Sequence, residues 1–404
     1  MPKRLHQFSG LDGKLQKILL LPFALATVLF FALLRPIILI QIHRVWEGRI
    51  GHFATNAELT RLKTIDHNKR HRRKLITIYY FKNRKVSNQF LSELWRRNLP
   101  SITGHWGWLL NDIASHSKNM NSSASSTEID LEGLLLTYTI PPTFTELENL
   151  AGQEFVQTVC PNGKFVCLHV RDNSYLKNHQ DLRDWSYHNY RDTDIKTYAA
   201  AAEALAEMGY TVFRMGAIVK EPLVSKYPRV IDYATNGMRT EFLDVYLGAN
   251  CAFTVSVGSG WDSVPTIFRR PILFVNYLPI FVPSLLTLLV TAIPKLLLDK
   301  KTNKLLTLND AIERNVATVL NTKAYEEAGV EIRDLSSEEL VEAVTEMAAR
   351  VEGTFVETEE QKQMQQKLKN ILTNDPRLQP SPGYYPIRAE FASCFLSRYT
   401  NFLS

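Results

Sequence analysis

Apolar and polar positions change their rhythm along this chain, and each change marks a different kind of element. From Ile18 to Leu34 (ILLLPFALATVLFFALL) no charged residue occurs, and IILIQI follows once Arg35 and Pro36 have interrupted the run. A bilayer-crossing helix wants about 20 apolar residues, so the first run is slightly short alone. Snorkelling of Arg35 would extend it to Ile42. The run is long for a signal peptide and is followed by no small-residue cleavage site. Basic residues flank both sides (Lys3, Arg4, Lys14 and Lys17 before; Arg44 and Arg49 after), so charge assigns no orientation. A single span and an in-plane anchor both fit.

Beyond it, Arg49–Leu62 (RIGHFATNAELTRL) predicts a turn opening into a helix. Leu75–Phe81 (LITIYYF), rich in β-branched and aromatic residues, predicts a strand. SNQFLSELWRRN, from Ser87, follows a helical pattern, and the Ser-rich stretch Ser115–Glu128 predicts a loop. Thr145 and Glu148 form a capping-box pattern ahead of an amphipathic run to Val159.

Residues 156–280 then alternate strand and helix. Phe165–Val170 is a continuous apolar strand, and Asp192, Thr193 or Asp194 can cap the Ala-rich helix that Gly209 stops. YTVFRMG supplies a strand, Arg229–Tyr233 a short one, and a helix begins at Glu241. CAFTVSV (Cys251–Val257) is a strand, GSG a turn, WDSVPTIF a short helix, and Pro271–Asn276 (PILFVN) a strand. This alternation predicts a parallel, doubly wound sheet. The apolar stretch Tyr277–Leu298 holds three prolines and is expected to be interdomain or membrane-apposed. Past Leu305 the pattern is helical and charged.

With 404 residues the chain is too long for one ordinary core. A composition of 45% hydrophobic and 22% charged residues excludes a wholly disordered protein. The net charge of +6 suggests an anionic partner without naming it. Arg61–Lys74 (RLKTIDHNKRHRRK) concentrates this charge and suits anionic lipid. It lacks the interleaved aromatic residues that base stacking would use. Four cysteines without a C-x-x-C pair read as reduced thiols of a cytosolic compartment, not as a zinc site.

Candidate chemistry gathers at predicted strand ends. Strand–Gly258-Ser259-Gly260–helix offers close backbone approach, free N–H groups and a hydroxyl to a phosphate. His169–Leu176 (HVRDNSYL) brings Arg171, suited to a diphosphate, with Asp172 beside it. His169 itself is expected to face into the sheet in a structural role. FRMG brings Arg214 and Gly216. In an open α/β sheet such loops converge on one edge.

These segments resemble known enzymes. HVRD resembles the H-V-R-R loop of GT-B fucosyltransferases. Strand–GSG–helix–PILFVN is similar to the phosphate-binding D-S-G segment of heptosyltransferases, and RIGH to their R-I-G-D loop. Together RIGH, LHVRDNSYL, HNYRDTDIKTY, FRMGA, GSGWDSVPTIF and the terminal FASCFLSRY look like one bacterial family described only as glycosyltransferases. The resemblance covers most of the chain after about residue 45. It implies a GT-B-like fold of two Rossmann-like domains, with an N-terminal membrane helix and a helical C-terminal extension. The expected segments are 1–46 (membrane helix), 47–150 (acceptor domain), 151–300 (nucleotide-sugar domain) and 301–404 (extension).

The resemblance also implies a nucleotide-sugar donor, a glycan or lipid-linked acceptor, transfer without a metal or other cofactor, and work at the cytoplasmic face of the inner membrane. His52 stands where heptosyltransferases carry their presumed carboxylate base, and a histidine can do that work. Asp172 replaces the second arginine of the fucosyltransferase loop, which argues against GDP-fucose. Arg191 is placed near phosphate or acceptor. Asp192 is read as a helix cap, and Glu241 is placed by the donor ribose or at a helix cap. Asp192-Thr193-Asp194 spells D-x-D, but at a predicted helix start rather than a strand end. A non-catalytic membrane-bound organiser of glycan assembly and a sugar-nucleotide epimerase are the alternatives.

Overall fold

The computed structural model describes residues 11–82, 86–116, 120, 130, 132–172, 186–280, 290–378 and 389–404. It divides into two compact units, Met1–Glu128 and Ile129–Ser404. The protein is mixed α/β, with a parallel sheet in each unit.

In the first unit, β1 (Ile38–Arg44), β2 (Lys74–Tyr80) and β3 (Ser101–Ile102) pair in parallel in the order β1-β2-β3. The apolar N-terminal run forms the helix Leu11–Leu33. Its Lys14–Leu33 portion has a mean hydropathy of 2.0 and is long and apolar enough to cross a membrane. The extension to Ile42 does not form. Pro36 restricts the residue before it, and the β-branched Ile38, Ile40 and Ile42 enter β1, where Gln41 and Thr77 face each other in register and bond at 2.8 Å. RIGHFATNAELTRL opens the helix Ile50–Arg70. That helix absorbs much of the basic cluster, with Arg61 paired to Glu58 and Arg70 to Asp66. The helix Gln89–Asn98 starts under the Asn88 side chain, which accepts from Leu91 N–H. The predicted Ser-rich loop lies almost wholly outside the described residues.

The second unit is built on β4 (Phe165–His169), β5 (Thr211–Met215), β6 (Val230–Ile231), β7 (Phe253–Ser256), β8 (Ile272–Tyr277), β9 (Val290–Pro294), β10 (Leu296–Asp299), β11 (Val330–Arg333) and β12 (Glu390–Phe391). Seven of these form one sheet in the order β12-β9-β8-β7-β4-β5-β6, with every neighbouring pair parallel. β10 and β11 pair separately and antiparallel. Both faces of the large sheet are covered, which is why its strands read as unbroken apolar runs. Val166 and Leu168 pack in a core with Ala201, Ala202 and Leu205 of the helix Ala199–Glu207. Phe165 turns the other way to meet Phe213, which also meets Phe155 of the helix Glu146–Val159.

Two segments differ from expectation in an instructive way. The described residues of Tyr277–Leu298 form no membrane-apposed strip: they end β8 and form β9 and β10, all buried, while residues 281–289 lie outside the described residues. A fully buried parallel strand is as apolar as a lipid-facing segment, so composition alone cannot separate them. Residues 301–404 do carry long helices, Ser337–Glu352 and Glu359–Asn374, both opened by capping boxes. They also supply β11 and β12, and Ser337–Glu352 packs on the helix Ala199–Glu207.

Candidate functional site

Chain order determines where a site can form. From β4 the chain moves outward through β5 and β6, then returns to place β7 on the opposite side of β4. The crevice beyond the carboxyl ends of β4 and β7 is therefore the topological switch point, where open α/β sheets bind ligands. His169 ends β4 and lies in register with Ser256, the last residue of β7.

Beyond Ser256 the backbone turns through Gly258 at φ +81°, where a Cβ would crowd the Tyr277 ring at 3.1 Å. Ser259 then caps a turn Gly260–Asp262 that continues into the short helix Ser263–Ile267. Ser259 and Asp262 make a reciprocal capping box: the Asp262 carboxylate accepts from Ser259 N–H, and Ser259 Oγ accepts from Trp261 N–H at 3.2 Å. Gly258 N–H donates to Ser256 Oγ at 3.3 Å. The amides of Gly258 and Ser259, which the sequence offers to a phosphate, are thus engaged within the loop. Asp262 also accepts from Ser256 Oγ at 2.5 Å, and burial pushes its carboxyl up to about 6.

Two arginines meet at this edge. Arg191 closes the turn Ser186–Arg191 and donates to the Gly258 carbonyl. Arg171, directly after β4 and Val170, holds Asp192 with Nε 3.3 Å from the carboxylate. Burial and then the Arg191 charge lower the Arg171 pKa, the mark of two cations held close in a partly dry place. The buried Arg191 Nε has no hydrogen-bond partner among the described residues. Asp192 is raised by burial, and Thr193 N–H donates to the Arg171 carbonyl at 3.2 Å, so the two segments are tied together. Asp192 therefore does not cap the Ala-rich helix; Asp194 caps the short turn Ile195–Tyr198 that leads into it, accepting from Lys196 N–H at 2.9 Å.

The other expected residues fall around this centre. Arg214 is wholly buried within β5 and pairs with Asp232 at 3.3 Å, so its charge acts from inside the sheet rather than from an open loop. Gly216 follows β5 at φ +153°, and a side chain there would strike Val219. Asp172 accepts from Lys220 N–H at 2.8 Å and so fastens that same loop. Glu241 is the first residue of the helix Glu241–Asn250, which Thr240 caps. His52 belongs to the first unit, in the first turn of the helix Ile50–Arg70, where burial and then Arg49 lower its pKa.

Three contributors escaped the sequence reading. His169 is not merely part of the sheet: Nδ1 sits 3.1 Å from Ser259 Oγ, and its ring stacks on Trp261 at 5.5 Å. Burial and then Arg214 hold it down at about 4, so it is neutral near pH 7. Asp262 was signalled by the Ser-x-x-Asp spacing, which is a capping box as much as a phosphate loop. Lys295 is buried and joins Asp334 at 2.8 Å and the Asp192 carbonyl at 2.6 Å. Its signal was a lone lysine in an apolar run, which needs a partner. No group of three or more His, Cys, Asp or Glu suited to a metal occurs among the described residues.

No protein-family model matches the chain, and no curated protein matches it. Among solved structures it is similar to an ADP-heptose lipopolysaccharide heptosyltransferase II of Escherichia coli, at 13% identity over 64% of this chain and 91% of that one, TM-score 0.36. A glycosyl transferase family 9 structure from Veillonella parvula matches at 12% identity over 76% and 97%, TM-score 0.42. A proposed UDP-N-acetylglucosamine 2-epimerase from Listeria monocytogenes matches at 9% over 80% and 98%, TM-score 0.30. These likenesses are loose, and what the site can do follows from its own residues.

Proposed function

We propose that the protein is a glycosyltransferase of GT-B type that moves a sugar from a nucleotide-sugar donor to a glycan or lipid-linked acceptor at the cytoplasmic face of the membrane. The observation that carries this reading is the placement of two arginines at the switch point of a parallel sheet: Arg171 just after β4, held by Asp192, and Arg191 bonded to the Gly258 carbonyl after β7. A leaving diphosphate needs cations already in place, and a site that depresses an arginine gains from an arriving anion.

In the reaction, His52 takes the proton of an acceptor hydroxyl, whose oxygen attacks the anomeric carbon as the bond to the diphosphate breaks. Arg171 and Arg191 neutralise the departing charge, so no metal is invoked. Ser259 and the Gly258–Gly260 turn shape the floor of that subsite, and Glu241 is assigned to the donor ribose. Arg214 and Gly216 hold the β5 edge of the crevice, with Asp172 fastening its loop.

A second reading is a non-catalytic organiser of glycan assembly. It is favoured by one observation: the Asp262 carboxylate already occupies the Ser259 amide. A thermal-shift panel of the full chain in detergent against UDP-, GDP-, ADP- and CMP-sugars separates the two. Stabilisation by one nucleotide class, lost in Arg191→Ala, supports the transferase. No response to any of them supports the organiser. Conversion of a free nucleotide sugar without acceptor would establish the epimerase.

A further inference from the structure

We propose that the helix Leu11–Leu33 lies in the plane of an anionic bilayer, seated along one stripe on its own globular unit, and does not cross the membrane. The stripe is Leu20, Ala24, Val28 and Phe31, which recurs at helical spacing. Ala24 is fully buried, and its neighbours pack on Leu109, Leu110 and the tryptophans of the helix Gly104–Ser115. Lys17 Nζ sits 4.0 Å over the Trp108 ring at the start of the same contact.

From Ile18 onward the rest of the helix surface is apolar but for Thr27, and most of it is bare. Ile18, Leu19, Phe23, Leu29 and Leu33 keep 61–70% of their surface exposed. Soluble proteins rarely leave a contiguous patch of this kind in water. A crossing helix would offer lipid all of its sides. Here one side is taken by a helix that carries exposed Asp112 and half-buried His105 and Asn111. Crossing would draw those polar groups into hydrocarbon, which is costly for an aspartate above all. Lying flat immerses the bare face without carrying the helix Gly104–Ser115 through the hydrocarbon.

Charge complementarity names the surface. Arg72, Arg73 and Lys74 are exposed where the helix Ile50–Arg70 gives way to β2. Arg73 donates to the Arg35 carbonyl at 3.1 Å, so this cationic cluster is fastened beside the end of the apolar helix. Basic side chains at the level of an immersed helix bind anionic headgroups.

The inference deepens the membrane placement proposed above. Donor response without vesicle binding would sink this inference alone, and vesicle binding without donor response would sink the transferase alone. The test mixes the full chain with sealed vesicles of phosphatidylcholine, with and without phosphatidylglycerol. Tighter binding to anionic vesicles is expected, weakening roughly five-fold for each charge removed in Arg72→Gln and Lys74→Gln. Gln16→Cys and Ile37→Cys flank the apolar stretch. Both are expected to react from outside with a membrane-impermeant maleimide, above the labelling of the unsubstituted chain. Labelling at one position only, with the other reached after detergent, would mean a span. Absence of vesicle binding, with self-association through the bare face or with no partner, would also overturn the proposal.

Discussion

Ser259 Oγ lies 3.1 Å from His169 Nδ1, which joins the loop after β7 to the end of β4 across the switch point. The same hydroxyl caps Trp261 N–H, so Ser259→Ala removes a cap and a cross-strand hydrogen bond together. We expect about 1–2 kcal/mol of lost stability, read by denaturant unfolding. Ser259→Thr, which keeps the hydroxyl, should recover most of it.

For Arg191 the expected loss is in ligand binding more than in folding. Arg191→Ala strips a cation from the proposed diphosphate subsite and frees the Gly258 carbonyl. Donor affinity should fall by roughly 10–100-fold, the effect of one charge-assisted contact in a partly dry site. Arg191→Lys should restore only a part, because an ammonium lacks the planar fork. Equal donor affinity in all three proteins, by calorimetry, would remove Arg191 from the site.

His52→Asn addresses the proposed base. A general base contributes about 10²–10⁴-fold to turnover, so kcat should drop by that order while donor-induced stabilisation persists. Because burial and Arg49 lower the His52 pKa, activity should hold to lower pH than an ordinary histidine would allow. A pH–rate profile checks this, and an unchanged acid limb in His52→Asn would assign the base elsewhere.

Two buried groups at the site respond to pH with opposite signs. Asp262, raised to about 6, contributes stability fully below the carboxylate's unfolded value, and this is lost as pH rises through about 6. His169, lowered to about 4, contributes stability above the histidine's unfolded value, and this is lost as pH falls through about 4. Relative to the unsubstituted protein, Asp262→Asn should therefore look better at about pH 7 than at about pH 4. His169→Gln should show the reverse. Melting temperatures of the three proteins across this window test both signs.

Gly152, in the helix Glu146–Val159, offers a packing test. A Cβ there would fall on the ring of Tyr246 in the helix Glu241–Asn250. Glycine to alanine inside a helix ordinarily gains about 1 kcal/mol. The collision outweighs this, and Gly152→Ala should destabilise by roughly 1–3 kcal/mol. Gain of stability on thermal unfolding would show the two helices are not so closely apposed.

Local information determined much of this protein. The strands around Cys167 and Val255, the capping box at Thr145 and Glu148, the stop at Gly209 and the apolar first helix all follow from periodicity and neighbouring side chains. So does the gathering of Arg171 and the Gly258–Gly260 turn, because loops after parallel strands must share one edge. Tertiary structure alone decided which charges pair. Arg214 reads like Arg171 in sequence, yet Asp232 claims it, while Arg191 arrives from a turn far along the chain to bond Gly258. It alone decided that Val290–Asp299 is core, since a buried strand and a lipid-facing segment have the same composition. It alone set Asp262 against Ser259 N–H, because a cap and a phosphate compete for the same amides and only packing shows which is seated.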